Sequence, residues 1–463
     1  MLTYLLDTNN GRLYEQLYEQ MKQDILQGVL KAGERLPSKR KLAEHLGVSV
    51  VTVETAYSQL MAEGYVESAE KRGYFVSQVE QALPRPAPKP FISTEGQEPN
   101  IFMDLKSNLI STEQFPFSVW AKIMRRALLE QDKRLLQPMK YNGIPELRQA
   151  IAGYLYQARG MRVHPEQILI GAGTEYLYGL LVQLLGRDRI YAVEDPGYQT
   201  IARIYEVNGA KYVPIPIDRQ GLSVRALDKT AVDVVHISPS HHYPTGIVMP
   251  VSRRQELLRW AMSGPNRYII EDDYDSEFRF VGRPIPTLYG DGESGRVIYI
   301  NTFSKTLAPS IRISYLILPP QLMDLYRARL GFYSCTVPSF EQYALAQFID
   351  SGSFERHIAR MKKLYRIRRN EIIAAIQSSP LSKRCTIFEQ DAGLHFLARL
   401  DTGLPDMVLK SRAQSLGVRM ACLSDYVYEK NPAYDHILVV NYAGIEMEKF
   451  PTALERLAGA LDE

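Results

Sequence analysis

Apolar positions near the start of the chain recur at helical spacing. Leu13, Leu17, Met21, Ile25 and Leu26 share one face, and the pattern stops near Gly28. Ser38 stands as an N-cap before Leu42, Ala43 and Leu46, with Gly47 as the stop. Ser49 opens a third helix that turns Val53, Tyr57, Leu60 and Met61 inward and ends at Gly64. Two strand-like runs follow, Tyr65-Val66-Glu67 and Gly73-Tyr74-Phe75-Val76, on either side of a basic hinge at Lys71 and Arg72. Three helices and a hairpin predict a winged helix-turn-helix over residues 1–79.

The pattern breaks at 80–103. Pro84, Pro86, Pro88 and Pro90 alternate with other residues, which rules out a helix and favours an extended, semi-rigid linker. Beyond it, over 104–463, short apolar runs alternate with helical segments: 168–170, 189–193, 211–215, 232–237, 268–270, 297–300 and 315–318. This predicts an α/β domain, a mostly parallel sheet with helices on both faces. The last part, about 351–463, opens with a basic helix around 361–373 and then gives strands near 393–400 and 437–441, a small α+β subdomain.

Composition narrows the class. A chain of 463 residues has room for two or three domains, and a net charge of +3 means that any basic surface must be local. Cys335, Cys385 and Cys422 are too few and too scattered for a disulfide framework, which suits a reducing cytoplasm. No apolar stretch reaches membrane-spanning length, so no membrane partner is expected.

Two constellations carry chemistry. In the first, the third helix begins Ser49-Val50-Val51-Thr52, the end that enters the major groove in a helix-turn-helix. Ser38, Lys39, Arg40, Ser49, Thr52 and Arg72 are candidate contacts to double-stranded DNA, and Val50 suits a thymine methyl. In the second, Glu271-Asp272-Asp273-Tyr274 and Thr302-Phe303-Ser304-Lys305 each follow an apolar run, placing an acid and a lysine at neighbouring strand ends. That pair suits pyridoxal phosphate, which needs an amine for its Schiff base and a carboxylate to keep its ring nitrogen protonated. Gly171-Ala172-Gly173-Thr174-Glu175 follows a strand and opens a helix, a phosphate cradle of backbone amides. Tyr198 offers a stacking face, Tyr274 a hydroxyl for the ring, Thr302 and Arg312 flank Lys305 as phosphate ligands, and Ser304 is a further cofactor-binding candidate. His241 and His242 have no third partner in the sequence that would make a metal site, and none is expected.

These residues carry a resemblance. Gly33-Glu34-Arg35-Leu36-Pro37-Ser38-Lys39-Arg40-Lys41-Leu42-Ala43 is similar to the signature of GntR-family bacterial regulators, although Val50 and Glu54 stand where that family often has arginine. The downstream motifs resemble fold-type I aminotransferases, and Ser238-Pro239-Ser240-His241-His242-Tyr243-Pro244-Thr245-Gly246 matches the MocR/GabR-type variant of their turn. The whole chain is identified as a member of that family, a GntR winged helix fused to an aminotransferase-like domain. The resemblance implies a homodimeric, cytoplasmic transcription regulator, head-to-tail in many members, with pyridoxal 5'-phosphate on Lys305. The signal is then an amino compound forming an external aldimine, or pyridoxal phosphate itself. The alternative is a working aminotransferase with an accessory DNA-binding domain. Members that sense γ-aminobutyrate grip its carboxylate with an arginine in a Ser-Arg-Phe context, where this chain has Ser424-Asp425-Tyr426. Asp425 is therefore expected to repel a carboxylate, with Arg412 and Arg419 as possible substitutes.

Overall fold

Two units divide the chain, Met1–Gly96 and Gln97–Glu463. The computed structural model describes residues 3–7, 11–70, 72–79, 101–107, 110, 114–130, 133–282, 285–291 and 295–462. Lys71 and the expected linker at 80–100 lie outside the described residues.

In the first unit two of the helices begin where a serine side chain satisfies an orphan amide, while the helix opening after Arg12 has no side-chain cap. Ser38 Oγ accepts from the Lys41 amide at 3.3 Å and opens α2 (Lys39–Leu46); Ser49 Oγ accepts from the Thr52 amide at 3.1 Å and opens α3 (Val50–Ala62). Gly47, at φ 67°, ends α2 in the left-handed conformation that glycine adopts without strain. With α1 (Leu13–Leu26) these helices bury Leu17, Met21, Leu42, Val53, Tyr57 and Leu60 completely. Leu13, Leu26 and Met61, expected inside, are only partly covered. The wing gains a strand too short to leave a pattern in sequence. β1 (Arg35–Leu36) pairs with β3 (Gly73–Val76), which also pairs with β2 (Val66–Ala69), all antiparallel.

The second unit is built on an eight-stranded sheet. Its order is Ile168–Gly171, Ser314–Ile317, Val297–Thr302, Tyr268–Asp272, Val234–Ile237, Ile190–Asp195, Lys211–Asp218 and Gly221–Leu222. Ser314–Ile317 and the two-residue Gly221–Leu222 run antiparallel to their neighbours, and the other pairings are parallel. Neighbouring residues on one strand enter opposite cores. Ile270 and Ile298 pack with Leu177 and Leu181, while Ile269 and Val297 pack with Leu257 and Trp260. That double burial is what made the strands read as unbroken apolar runs.

The small lobe corrects two expected boundaries. Phe102 donates to the Gly417 carbonyl at 2.8 Å and Met103–Asp104 pairs with Val418–Arg419, so residues 101–103 belong to this lobe and not to a linker. Met103 and Leu105 share its core with Met361, Tyr365, Phe396 and Leu457. The basic helix runs over Ser353–Ser378, and a strand with no clear sequence signal, Cys385–Phe388, borders His395–Leu400 and Ile437–Asn441. Among the described residues no helix is long and apolar enough to cross a membrane, and all three cysteines are free.

Candidate functional site

Parallel strands present their carboxyl ends on one side of a sheet, and ligands of open α/β folds bind there. Here that side holds a cavity of about 410 Å³, a size that suits a small cofactor with its ligand. Thr174, Glu175, Tyr198, Asp272, Tyr274, Thr302, Ser304, Lys305 and Arg312 all line it, so motifs far apart in sequence meet as expected. Gly173 precedes the helix Thr174–Leu185 at φ 95°, and a Cβ there would stand 2.1 Å from Arg312 Nη2. Glycine alone lets the guanidinium lie flush against this turn.

Asp272 is 5% exposed and sits at the end of its strand. Its Oδ2 accepts from the Tyr178 hydroxyl, and His236 Nε2 lies 3.6 Å from the same oxygen. Tyr205 Oη in turn lies 2.6 Å from His236 Nδ1. Asp272 Oδ1 is buried with no hydrogen-bond partner among the described residues. A bare carboxylate oxygen in such a place is costly unless something charged or hydrogen-bonding meets it. Burial pushes the Lys305 amine down to about 8, against the pull of Asp275 and Glu175. A tenth or so of such an amine is neutral at pH 7, which is what a nucleophilic lysine needs.

One phosphate role needs revision. The Thr302 hydroxyl is committed to its own turn: it accepts from the Ser304 amide at 3.1 Å and Ser314 Oγ at 2.8 Å, and lies 3.4 Å from the Ile313 carbonyl. Ser304 Oγ is instead the buried hydroxyl with no partner among the described residues. Glu175 turns its carboxylate to Arg312 in an ion pair and so brings only its backbone to a phosphate. Arg312 itself is held at φ 49°, a conformation that costs a non-glycine residue energy and is found at functional sites.

Tyr198, 44% exposed, stands edge-on to Tyr243 with ring centres 6.0 Å apart. Tyr274 Oη lies 3.3 Å from His241 Nδ1, which is also 2.9 Å from Asp275 Oδ2. His242 contacts Thr245 Oγ1 at 2.6 Å and Glu194 at 3.3 Å. No group of three metal-ligating side chains occurs among the described residues.

Asp425 does not face the cavity. Its carboxylate pairs with Lys410 and accepts from the Cys422 amide at 3.0 Å, capping the turn Leu423–Tyr426. The motif match did not carry over to this position: its neighbour Tyr426 approaches the site instead, with its hydroxyl 2.9 Å from that of Tyr243, which lines the cavity. Arg419 pairs with Asp104 at 3.5 Å, and neither it nor Arg412 lines the cavity.

Sequence reading missed Tyr178 and His236. Tyr178 follows Thr174 by one helical turn on the face turned to the sheet, a spacing that pointed to it. His236 is the polar residue within a strand whose four residues are all buried.

In the first unit, Ser38 and Ser49 are caps as described, and Thr52 Oγ1 lies 2.8 Å from Ser49 Oγ. Lys39, expected on phosphate, is bound at 2.6 Å to Glu54 and lies over the Tyr74 ring. Arg40 and Arg72 are exposed, and Val50 is 43% exposed at the helix start.

The fold and the site together define an aminotransferase-type domain behind a DNA-reading winged helix. Residues 13–76 match the bacterial regulatory proteins of the gntR family, and residues 100–456 match aminotransferase class I and II. The probable rhizopine catabolism regulatory protein MocR of Rhizobium meliloti is 35% identical over 97% of this chain and 93% of its own length. The pyridoxine biosynthesis transcriptional regulator PdxR of Corynebacterium glutamicum is 33% identical over 89% of this chain and 88% of its own. Among solved structures, the kynurenine aminotransferase of Pyrococcus horikoshii superposes with a TM-score of 0.69 at 25% identity, covering 78% of this chain and 91% of that one. The chain belongs to the MocR-type family of helix-turn-helix transcription regulators with an aminotransferase class I and II domain.

Proposed function

We propose that this regulator carries pyridoxal 5'-phosphate on Lys305 and changes its hold on an operator when a small-molecule amine, or the cofactor itself, enters the same cavity. The observation that carries the reading is a pair of buried groups without partners among the described residues, Asp272 Oδ1 and Ser304 Oγ, beside a lysine whose pKa burial has lowered. When bound, the cofactor supplies an aldehyde that primary amines capture reversibly. Lys305 provides the resident amine. Asp272 keeps the ring nitrogen protonated, and Tyr178 and His236 fix the carboxylate for that task. Ser304, Arg312 and the amides of Thr174 and Glu175 hold the phosphate. Tyr198 supplies an aromatic face and Tyr274 a hydroxyl.

On the DNA side, Arg40 and Arg72 contact phosphates, with Ser38, Ser49 and Thr52 beside them, and the start of α3 enters the major groove. The protein works in the cytoplasm as a homodimer. Exposed Phe117, Leu128, Leu129 and Phe332, each 60% exposed or more, supply the apolar surface that a second copy covers.

Two effector classes are in play. The similarity to a pyridoxine biosynthesis regulator favours the cofactor as the signal, and so does the lining of the cavity. Among the described residues its lysine and arginine side chains are Lys305 and Arg312, both already assigned, so neither is left for an amino acid's carboxylate. A working aminotransferase is the rival reading, since Lys305 can also move a proton. Titrating pyridoxal phosphate and then amines, while following cofactor absorbance and operator mobility together, tests the proposal. Absorbance that develops with no change in mobility, alongside multiple-turnover transamination, would favour the rival.

A further inference from the structure

At the leading end of α3 the polar side chains already have partners within the fold. Ser49 and Thr52 hydroxyls lie 2.8 Å from each other, and Thr55 Oγ1 donates to the Val51 carbonyl at 2.9 Å. The Glu54 carboxylate is held by Lys39 at 2.6 Å. The helix carries no lysine or arginine anywhere along Val50–Ala62. Two side chains at this end present only carbon to solvent, Val50 at 43% and Val51 at 68% exposure. Exposed β-branched residues at the first turn of a helix contribute nothing to the core beneath, which Val53, Ala56, Tyr57 and Leu60 fill. The major groove offers one apolar group on a base edge, the 5-methyl of thymine.

We infer that the regulator selects its operator mainly through thymine methyl groups packed against Val50 and Val51. Arginine-to-guanine contacts, the commonest specific pairing, play no part on this helix. Affinity comes from the flanking cations, Arg40 and Arg72, and the Lys39–Glu54 pair keeps the one acidic side chain of the helix neutralised near phosphates. The inference rests on the reading that the first unit binds duplex DNA.

The test begins with full-length protein and a pool of duplexes with a randomised centre, from which binders are enriched and then resynthesised with deoxyuridine for thymidine, one position at a time. At the positions read by Val50 and Val51, loss of the methyl should weaken binding about fourfold each, the worth of one buried carbon. The Val50→Ala, Val51→Ala double variant, its folding checked by its melting curve, should bind the thymine duplex more weakly and show no uracil penalty. Uracil duplexes that bind like thymine duplexes at every position overturn the inference. So does a uracil penalty that survives in the double variant, which would assign the effect to DNA shape. Failure to enrich any duplex would overturn the DNA-binding reading itself, a separate result.

Discussion

The cofactor cavity and the surface of the winged helix place polar groups under opposite conditions. In the cavity, Asp272 is 5% exposed, Tyr178 is buried, and Lys305 is pushed down to about 8 by desolvation. Each such group is costly in isolation, so its presence implies a ligand that compensates it. On the winged helix, Arg40, Lys41 and Arg72 lie in water, where a charge costs nothing and implies nothing by itself. Function is therefore visible in the cavity from single residues, and on the DNA face only from which polar groups are already engaged.

That contrast is broken most directly at Lys305. Lys305→Ala should abolish borohydride-stable attachment of pyridoxal phosphate, an all-or-none effect read by mass spectrometry of the peptide. A reducible adduct retained at the wild-type level removes Lys305 from the role.

Asp272→Asn sharpens the same point by separating binding from folding. Cofactor affinity, measured by equilibrium dialysis, should fall about ten- to a hundredfold, as for loss of a charge-assisted hydrogen bond. The cofactor-free protein should melt no lower than wild type, because the variant removes a buried charge whose Oδ1 has no partner among the described residues. An equal drop in melting temperature and affinity would instead make Asp272 a structural residue.

The cavity's lysine also sets a pH window. A lysine amine lowered in the fold loses its proton earlier than one in water, so the reactive neutral form grows as pH rises from 7 and reaches half near 8, not near 10.5. The rate at which cofactor-free protein captures pyridoxal phosphate should rise several-fold between pH 7 and 8 and level off above 9. A rate still climbing tenfold per pH unit at pH 9.5 would mean that Lys305 is not desolvated.

Much of this was legible in the sequence, for reasons that differ by residue. Apolar runs ending in Asp272 and Thr302 are strands buried on both faces, so their ends, and the site, could be located. Ser38 and Ser49 announced helices because a cap needs its own chemistry. What stayed hidden depends on a direction in space. Lys39 turns to Glu54, fifteen residues away, and Thr302 turns to Ser314. The two-residue strand β1 exists only because β3 lies beside it.

On the winged-helix side the expected effects are smaller. Arg40→Ala and Arg72→Ala should each weaken operator binding several-fold and lower the slope of log affinity against log salt by about one. Lys39→Ala should change that slope less, because its ammonium is already paired with Glu54. Salt titrations of the three variants on one duplex check the order, and a Lys39 effect equal to that of Arg40 would return Lys39 to the phosphates.

The smallest effect is expected at Asp425, where the two regions' lesson applies to a residue that lies in neither. Its position in the sequence suggested a charge facing the effector, yet its carboxylate caps the turn Leu423–Tyr426 and holds Lys410. A cap of this kind contributes about 1 kcal/mol, and a partly exposed ion pair adds little. Asp425→Ala should thus lower the melting temperature by only about 1–2 °C, the shift that such a loss produces in a unit as large as Gln97–Glu463. Cofactor affinity and the response to γ-aminobutyrate should stay at wild-type values, since the residue reaches the cavity only through the backbone it anchors. If the variant instead melts like wild type and gains a γ-aminobutyrate response seen in the cofactor spectrum, Asp425 faces the effector after all, and the capping geometry is not what governs it in solution.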